Sequence, residues 1–234
     1  MVPLRDNNPT TITPYITYGL IVVNVLIFFK EISLNSQQLN QFFQLYAVVP
    51  RELTASFTGS AAAINQPVPE WLTLITSQFL HGGWLHLGGN MLFLWIFGNN
   101  IEEELGRWKY LIFYLACGVL AALSQWFFSM QSGIPSLGAS GAIAGVMGAY
   151  IIRFPRAEIL TLVPLGFFFF TARIPAVFFL GFWFLQQAFF SFTSLGMPSG
   201  VAMETGGIAY WAHAGGFVFG ALLGPIFGLF NRQN

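Results

Sequence analysis

Charge is the property that this sequence has least of. Only 8% of its 234 residues are Asp, Glu, Lys or Arg, and the formal net charge is zero. A soluble globular domain carries about 25% charged residues. The mean hydropathy of +0.65 and the 27 phenylalanines point the same way. The composition therefore argues against an ordinary soluble domain, offers nothing to attract a nucleic acid, and indicates an integral membrane protein.

The low numbers of cysteine and aspartate, and a missing zinc-binding motif, restrict the catalytic chemistry that is possible. The single cysteine, Cys117, cannot form an internal disulfide. The single aspartate, Asp6, lies near the N-terminus and outside the apolar runs, so these runs offer no aspartate for a catalytic triad. The sequence contains no His-Glu-x-x-His motif, which disfavours a zinc protease. We expect neither a metal ion nor a cofactor.

The apolar runs predict the architecture. A membrane-spanning helix needs about 20 mainly apolar residues. The sequence predicts six spans in one all-α polytopic domain over residues 1–234, at 14–31, 84–98, 108–130, 140–154, 174–193 and 208–230. The long outer loop 32–83 is expected to fold along the membrane surface. Segment 157–173 is apolar but contains Pro164 and Gly166, so it is interpreted as interfacial rather than as a seventh span.

The basic residues predict the orientation. With the N-terminus in the cytoplasm, only Lys30 and Arg51 of the nine Lys and Arg residues fall outside. The others fall inside, as the positive-inside rule favours: Arg5, Arg107, Lys109, Arg153, Arg156, Arg173 and Arg232. Short terminal tails and the lack of a transit peptide favour a bacterial plasma membrane.

Polar residues inside the spans are candidates for function, because burying them in hydrocarbon is costly. Ser140 begins the fourth span, His213 lies early in the sixth, and His86 and Asn90 share one face of the second. The predicted orientation places all four toward the outer side. From Ser140 to Phe154 a helix reaches about 22 Å at about 1.5 Å per residue. Because the hydrocarbon core is about 30 Å thick, we expect Ser140 at the floor of a polar cavity that opens outward.

Small residues predict which helices approach each other. Gly141 and Gly145 in the fourth span and Gly216 and Gly220 in the sixth recur at four-residue spacing, which allows close packing of helix backbones. Close packing would bring Ser140 to His213. A serine hydroxyl needs a base to act as a nucleophile, and histidine is the usual one. The residues therefore indicate a Ser-His dyad, with the Ser140 backbone N–H, Asn90 and His86 as candidate donors to an oxyanion.

Four motifs resemble the rhomboid intramembrane serine proteases. They are "GASGA" around Ser140, "AHAGG" around His213, "HLGGN" from His86 to Asn90, and the Gly-xxx-Glu-xxx-Gly pattern of Gly98, Glu102 and Gly106. The resemblance implies that Ser140 is the nucleophile and His213 the general base. It implies that His86 and Asn90 help to form the oxyanion site, that the Gly138 backbone shapes the turn before the serine, and that Glu102 is structural. It also implies cleavage of transmembrane segments of other proteins within the bilayer.

One departure from the family and two rival functions bear on this interpretation. Many rhomboids have an aromatic residue four positions after the serine, where this sequence has Ala144. We therefore expect an aromatic residue of the second or fifth span to support the His213 ring. A transporter or channel could use His86, Asn90 and His213 as a polar path, but no half-to-half repeat is visible. An inactive rhomboid relative that only binds membrane proteins would typically lack the serine or the histidine.

Overall fold

The structure, a computed structural model, describes residues 1–59, 67–195 and 209–231. Three strands and nine α-helices are found in these residues. In chain order they are β1 (Val2–Asp6), α1 (Tyr15–Ile32), α2 (Ser36–Tyr46), α3 (Pro50–Thr58), α4 (Glu70–Thr76), α5 (Trp84–Leu105), α6 (Arg107–Phe128), α7 (Ser140–Arg153), β2 (Glu158–Leu165), β3 (Phe168–Pro175), α8 (Ala176–Ser194) and α9 (Tyr210–Phe227).

The chain is a predominantly helical membrane protein, as its composition predicts. Of the described helices, α1, α6 and α8 are long and apolar enough to cross a membrane, and α7 is a shorter apolar helix. Helix α5 continues to Leu105, beyond the end at residue 98 that the sequence predicts. Helix α9 lies within the predicted span 208–230. Residue 208 of that span and Arg232 are outside the part of the chain that the structure describes. The count of six spans stays a prediction.

Helix α7 is the centre of the bundle and is buried along nearly its whole length. It packs most closely on α9, and the glycines are the reason. A Cβ atom on Gly220 would overlap the backbone carbonyl of Gly145, and one on Gly216 would overlap that of Gly141. The two helix backbones are therefore in contact, with no room for a side chain between them.

Glu102, near the C-terminal end of α5, holds the start of α1. Its buried carboxylate accepts hydrogen bonds from the backbone N–H groups of Ile16 and Thr17, at 3.0 and 2.8 Å, and from the Thr17 hydroxyl at 2.8 Å. Helix α1 has no side-chain cap of its own, because Pro14 precedes it. A carboxylate from another helix thus satisfies first-turn N–H groups that have no partner within α1.

We expect Glu102→Ala to lower the melting temperature of the purified protein by several degrees. Without the carboxylate, the backbone N–H groups of Ile16 and Thr17 lose their acceptor. A buried N–H group without an acceptor costs about 1–3 kcal/mol of stability. Glu102→Gln keeps one acceptor oxygen and should melt between the parent and Glu102→Ala. Thermal unfolding in detergent measures all three proteins, and a Glu102→Ala variant that melts with the parent would show that this carboxylate does not hold α1.

The outer loop folds back over the segment that precedes α7. Helices α2, α3 and α4 lie within this loop, which the sequence predicts to be folded. Val48 and Ser136 exchange backbone hydrogen bonds at 3.0 and 2.8 Å, and the Arg51 N–H donates to the Ser132 carbonyl at 2.9 Å. The loop therefore braces the irregular chain that leads into Ser140.

A small sheet differs from the purely helical expectation. Segment 157–173, which the sequence suggests is interfacial, contains β2 and most of β3, which pair as an antiparallel hairpin, and β1 adds to β2. The hairpin base is fixed between two helices. The N–H groups of Ala176 and Val177, in the first turn of α8, donate to the carbonyls of Ala157 and Pro155, just after α7, at 2.8 and 3.0 Å.

Candidate active site

Ser140 is the first residue of α7 and is held there by an unusual backbone turn. Gly138 has a φ of 128°, a region that side chains with a Cβ rarely adopt. Its N–H donates to the Ser77 carbonyl at 2.9 Å. A Cβ on Gly138 would also lie 2.9 Å from the His86 ring, so glycine is required for space as well as for conformation. After this turn, the Ser140 hydroxyl points toward His213 of α9.

The His213 ring lies between the Ser140 hydroxyl and a glutamine amide. His213 Nε2 is 2.8 Å from Ser140 Oγ, and His213 Nδ1 is 2.8 Å from Gln187 Oε1. An amide oxygen only accepts, so Nδ1 carries the ring proton in the neutral histidine. Nε2 is then unprotonated and accepts the hydrogen bond from the serine. Gln187, a buried residue of α8, thereby sets the tautomer that a general base needs.

An aromatic residue of α8 lies beside the same ring. The centroids of Trp183 and His213 are 5.8 Å apart, with an interplanar angle of 34°. Ala144, on α7, is fully buried and offers no ring of its own. The sequence predicts that an aromatic residue of the second or fifth span supports the His213 ring. The aromatic residue found beside that ring is Trp183, in the fifth span.

His86 approaches the serine from α5. The Gly82 N–H donates to His86 Nδ1 at 3.4 Å, so Nε2 carries the proton in the neutral ring. The Nε2 side of the ring faces Gly138, beside Ser140 Oγ. His86 thus presents an N–H donor next to the serine hydroxyl.

Asn90 lies one helical turn after His86 and is held by His81. The Asn90 side-chain N–H₂ group donates to His81 Nε2 at 2.9 Å, which leaves its second N–H for another acceptor. The backbone N–H of His81 is itself within 3.1 and 3.3 Å of the two carboxylate oxygens of Glu31. Burial, with a smaller contribution from the nearby His86 ring, lowers the pKa of His81 to about 4, so His81 is neutral near pH 7 and can accept the Asn90 hydrogen bond.

The four polar residues border one cavity of about 910 Å³. It is large enough for several residues of an extended peptide. Its lining combines the polar groups with apolar and aromatic side chains: Trp84, His86, Asn90, Phe93, Ile143, Met147, Ser140, Trp183 and His213. A cavity that combines polar groups with apolar side chains suits a peptide backbone that carries apolar side chains.

The structure separates the sequence-predicted residues into two groups. Ser140, His213, His86 and Asn90 border the cavity, and Gly138 lies against the His86 ring and Ser140 Oγ. The residues predicted to be structural lie elsewhere. Glu102, on α5, binds the start of α1, and the contact of α7 with α9 contains Gly141, Gly145, Gly216 and Gly220. Gln187 was absent from the predicted site, although a glutamine inside an apolar span is itself a signal of function.

Comparison with known proteins gives one family. The rhomboid domain family matches residues 68–230. The chain is 32% identical over 157 residues to "Rhomboid protein 1, mitochondrial" of Saccharomyces cerevisiae, covering 65% of this chain and 41% of that protein. It is 33% identical over 140 residues to "Rhomboid protease GluP" of Bacillus subtilis, covering 59% and 24%. It is 38% identical over 84 residues to "Rhomboid-like protein 11, chloroplastic" of Arabidopsis thaliana, covering 36% and 30%. The matched regions span less than half the length of these relatives.

Proposed function

Because the chain belongs to the rhomboid family, we propose that it is a serine endopeptidase that cleaves transmembrane segments of other proteins. The observation that carries this proposal is the 2.8 Å contact between Ser140 Oγ and His213 Nε2, with Nδ1 bound to Gln187. Two relatives that carry protease names, "Rhomboid protease GluP" and "Rhomboid-type serine protease 2", support the reaction class.

The proposed mechanism uses a Ser-His dyad. His213 Nε2 takes the hydroxyl proton as Ser140 Oγ attacks the carbonyl carbon of the scissile peptide bond. The protonated ring then gives this proton to the leaving nitrogen, which leaves an acyl-enzyme. Water, deprotonated by the same histidine, hydrolyses the ester and regenerates the serine. Gln187 holds the ring in the required tautomer but, being neutral, stabilises the imidazolium less than a carboxylate would.

The oxyanion formed at the substrate carbonyl needs donors beside Ser140. The Ser140 backbone N–H begins α7 and has no partner within that helix. His86, with its Nε2–H, and Asn90, with its second amide N–H, border the same cavity as Ser140. We propose that these three groups bind the oxyanion and that His81 orients the Asn90 amide.

Asn90→Ala is expected to lower turnover by about 10- to 1000-fold, the range for losing one such donor. His81→Ala should lower turnover less than Asn90→Ala does. Combining the two substitutions should have little effect beyond that of Asn90→Ala, because His81 acts through the Asn90 amide. Asn40→Ala, which removes an exposed amide from α2, serves as the matched control. Turnover that is unchanged in Asn90→Ala would remove this residue from the oxyanion site.

Gln187→Ala should reduce turnover by about 10- to 1000-fold, because the His213 ring loses the acceptor that fixes its tautomer. The neighbouring Gln186 is exposed, whereas Gln187 is buried, so Gln186→Ala makes the same change on α8 away from the ring. The two variants are compared by initial rates of substrate cleavage at equal concentrations of folded protein. Equal rates would show that the Gln187 contact has no part in catalysis.

The site suggests which substrates it takes. A peptide bond in a continuous helix is hidden by the helix's own hydrogen bonds and side chains, so a substrate must unwind locally to reach Ser140. Glycine and proline weaken a helix by about 1 and 3 kcal/mol relative to alanine. We therefore propose transmembrane segments with such residues near their outer end as the substrate class. We also propose a bacterial plasma membrane as the location, with the N-terminus in the cytoplasm, although relatives include mitochondrial and chloroplast proteins.

The activity is tested with the purified protein in phospholipid vesicles. A single-span substrate protein is added, and mass spectrometry identifies its fragments. The proposal expects one main cut in or beside the outer half of the span, absent with Ser140→Ala. Cuts that persist in Ser140→Ala would assign them to a contaminant or to another mechanism.

A further inference from the structure

The hairpin of β2 and β3 ends in an aromatic tip, residues 165–170, that nothing else in the described chain covers. Phe167 is 99% exposed and Phe168 78%, and Leu165, Phe169 and Phe170 are exposed as well. The two-residue turn at Gly166 has the positive φ, 61°, that tight hairpin turns need at their first central position. Apolar residues alternate to both faces of a strand, so the tip is apolar on both sides.

The base of the same hairpin is packed on the helix bundle. Ile159 is fully buried in the main core and Thr161 is buried beside it, whereas exposure rises toward the turn. The adjoining β1 contacts α5, and the Tyr150 hydroxyl of α7 donates to its Asp6 at 2.6 Å. The sheet therefore covers the ends of helices at one side of the bundle, and the tip extends past the packed part.

The position of the hairpin base relative to the membrane follows from the segments that flank the hairpin. The strand β3 passes at Pro175 directly into α8, which is long and apolar enough to cross a membrane. The first N–H groups of α8 bind the carbonyls of the hairpin base. The base is therefore fixed where α8 enters the bilayer. Eight residues at about 3.3 Å each allow the tip to reach about 26 Å from it.

Charge near the base favours phospholipid as the occupant of this surface. Arg5 and Arg156 are exposed on or beside the sheet, and Arg173, which is also exposed, lies 3.8 Å from the Glu158 carboxylate. They lie on the side that carries most of the basic residues, where anionic lipid headgroups attract Lys and Arg. An interfacial segment with basic residues on one part and Phe or Leu on another is typical of peripheral membrane insertion.

We propose that the aromatic tip is inserted into the bilayer leaflet on the arginine-rich side, where it packs among phospholipid acyl chains below the headgroups. The hairpin pairs its own inner backbone groups, and the free edge of β3 limits insertion to the interfacial depth, because unpaired backbone groups are costly in hydrocarbon. The tip thereby anchors the α7–α8 connection laterally, beyond the edge of the bundle.

The test places a fluorescent NBD group on a cysteine introduced by Phe168→Cys. The native Cys117 is buried, so the label reacts at the new site. Gln37→Cys, on an exposed polar position of α2, is the matched control. Both labelled proteins are reconstituted in vesicles of phosphatidylcholine and phosphatidylglycerol, with and without bromine on the acyl chains, at several protein-to-lipid ratios.

The proposal expects brominated chains to quench the Phe168→Cys label about twofold or more, independently of protein density. It also expects iodide in the water to quench this label less than the label at Gln37→Cys. Quenching by iodide equal to that of the control, without quenching by bromine, would place the tip in water and overturn the proposal. Loss of bromine quenching at high protein density would also overturn it, in favour of a contact between two copies of the chain.

Discussion

Replacing His213 by alanine is expected to lower the rate of transmembrane substrate cleavage by about 10⁴-fold or more. Among the described residues, the His213 Nε2 atom is the unprotonated nitrogen that lies 2.8 Å from Ser140 Oγ, so the variant loses the group that takes the hydroxyl proton. Ser140→Ala should cause a loss of similar size. The double variant should be no worse than either single variant, because the two residues act as one unit.

Initial rates are measured in vesicles with the same single-span substrate. Ser56→Ala, on α3, removes a serine hydroxyl that donates to the Leu53 carbonyl at 2.8 Å, so it controls for the chemical change itself. It should keep the parent rate. Additive losses in the double variant, or a His213→Ala protein within about tenfold of the parent, would contradict a dyad.

Gly220→Ala is expected to reduce both stability and activity. The added methyl group would overlap the Gly145 carbonyl oxygen, a backbone atom that cannot move without its helix. Helices α7 and α9 must then separate, and they carry Ser140 and His213. A misplacement of about 1 Å can cost about 100-fold in rate. We expect a loss of that order, together with a melting temperature lower by several degrees.

A matched glycine on α8 separates the packing effect from the chemistry of the substitution. A Cβ on Gly181 would meet no atom within 4 Å, so Gly181→Ala should be neutral or slightly stabilising. Thermal unfolding and cleavage rates are compared for both variants. If Gly220→Ala is as stable and as active as Gly181→Ala, the close contact between α7 and α9 is not what aligns the site.

The helical fold and the neighbours of Ser140 could be predicted because their signals are local or periodic. Apolar runs mark helices in a membrane protein, and the four-residue glycine spacing marks the faces along which α7 and α9 meet. The positions of Ser140 and His213 at the starts of their spans then placed them at similar depth. The contact between Gly220 and Gly145 is the structural counterpart of that spacing.

The rest depended on contacts that a single segment does not encode. Residues 157–173 form a short apolar run whose period does not distinguish a strand from an interfacial helix, and its pairing partner β1 begins at Val2. Gln187 and Gln186 are identical in type, and only the packing of α8 decides which one meets His213. The hydrogen bond from the His81 backbone N–H to the Glu31 carboxylate similarly joins residues 50 positions apart.

Covalent labelling of Ser140 tests the account most directly. A fluorophosphonate probe reacts with a serine only when a neighbouring base activates its hydroxyl. In detergent or vesicles, the parent should be labelled on the peptide that contains Ser140, His213→Ala should be labelled far more slowly, and Ser140→Ala should not be labelled. A folded parent that does not react, or label that persists at an equal rate in Ser140→Ala, would contradict the assignment of Ser140 as an activated nucleophile.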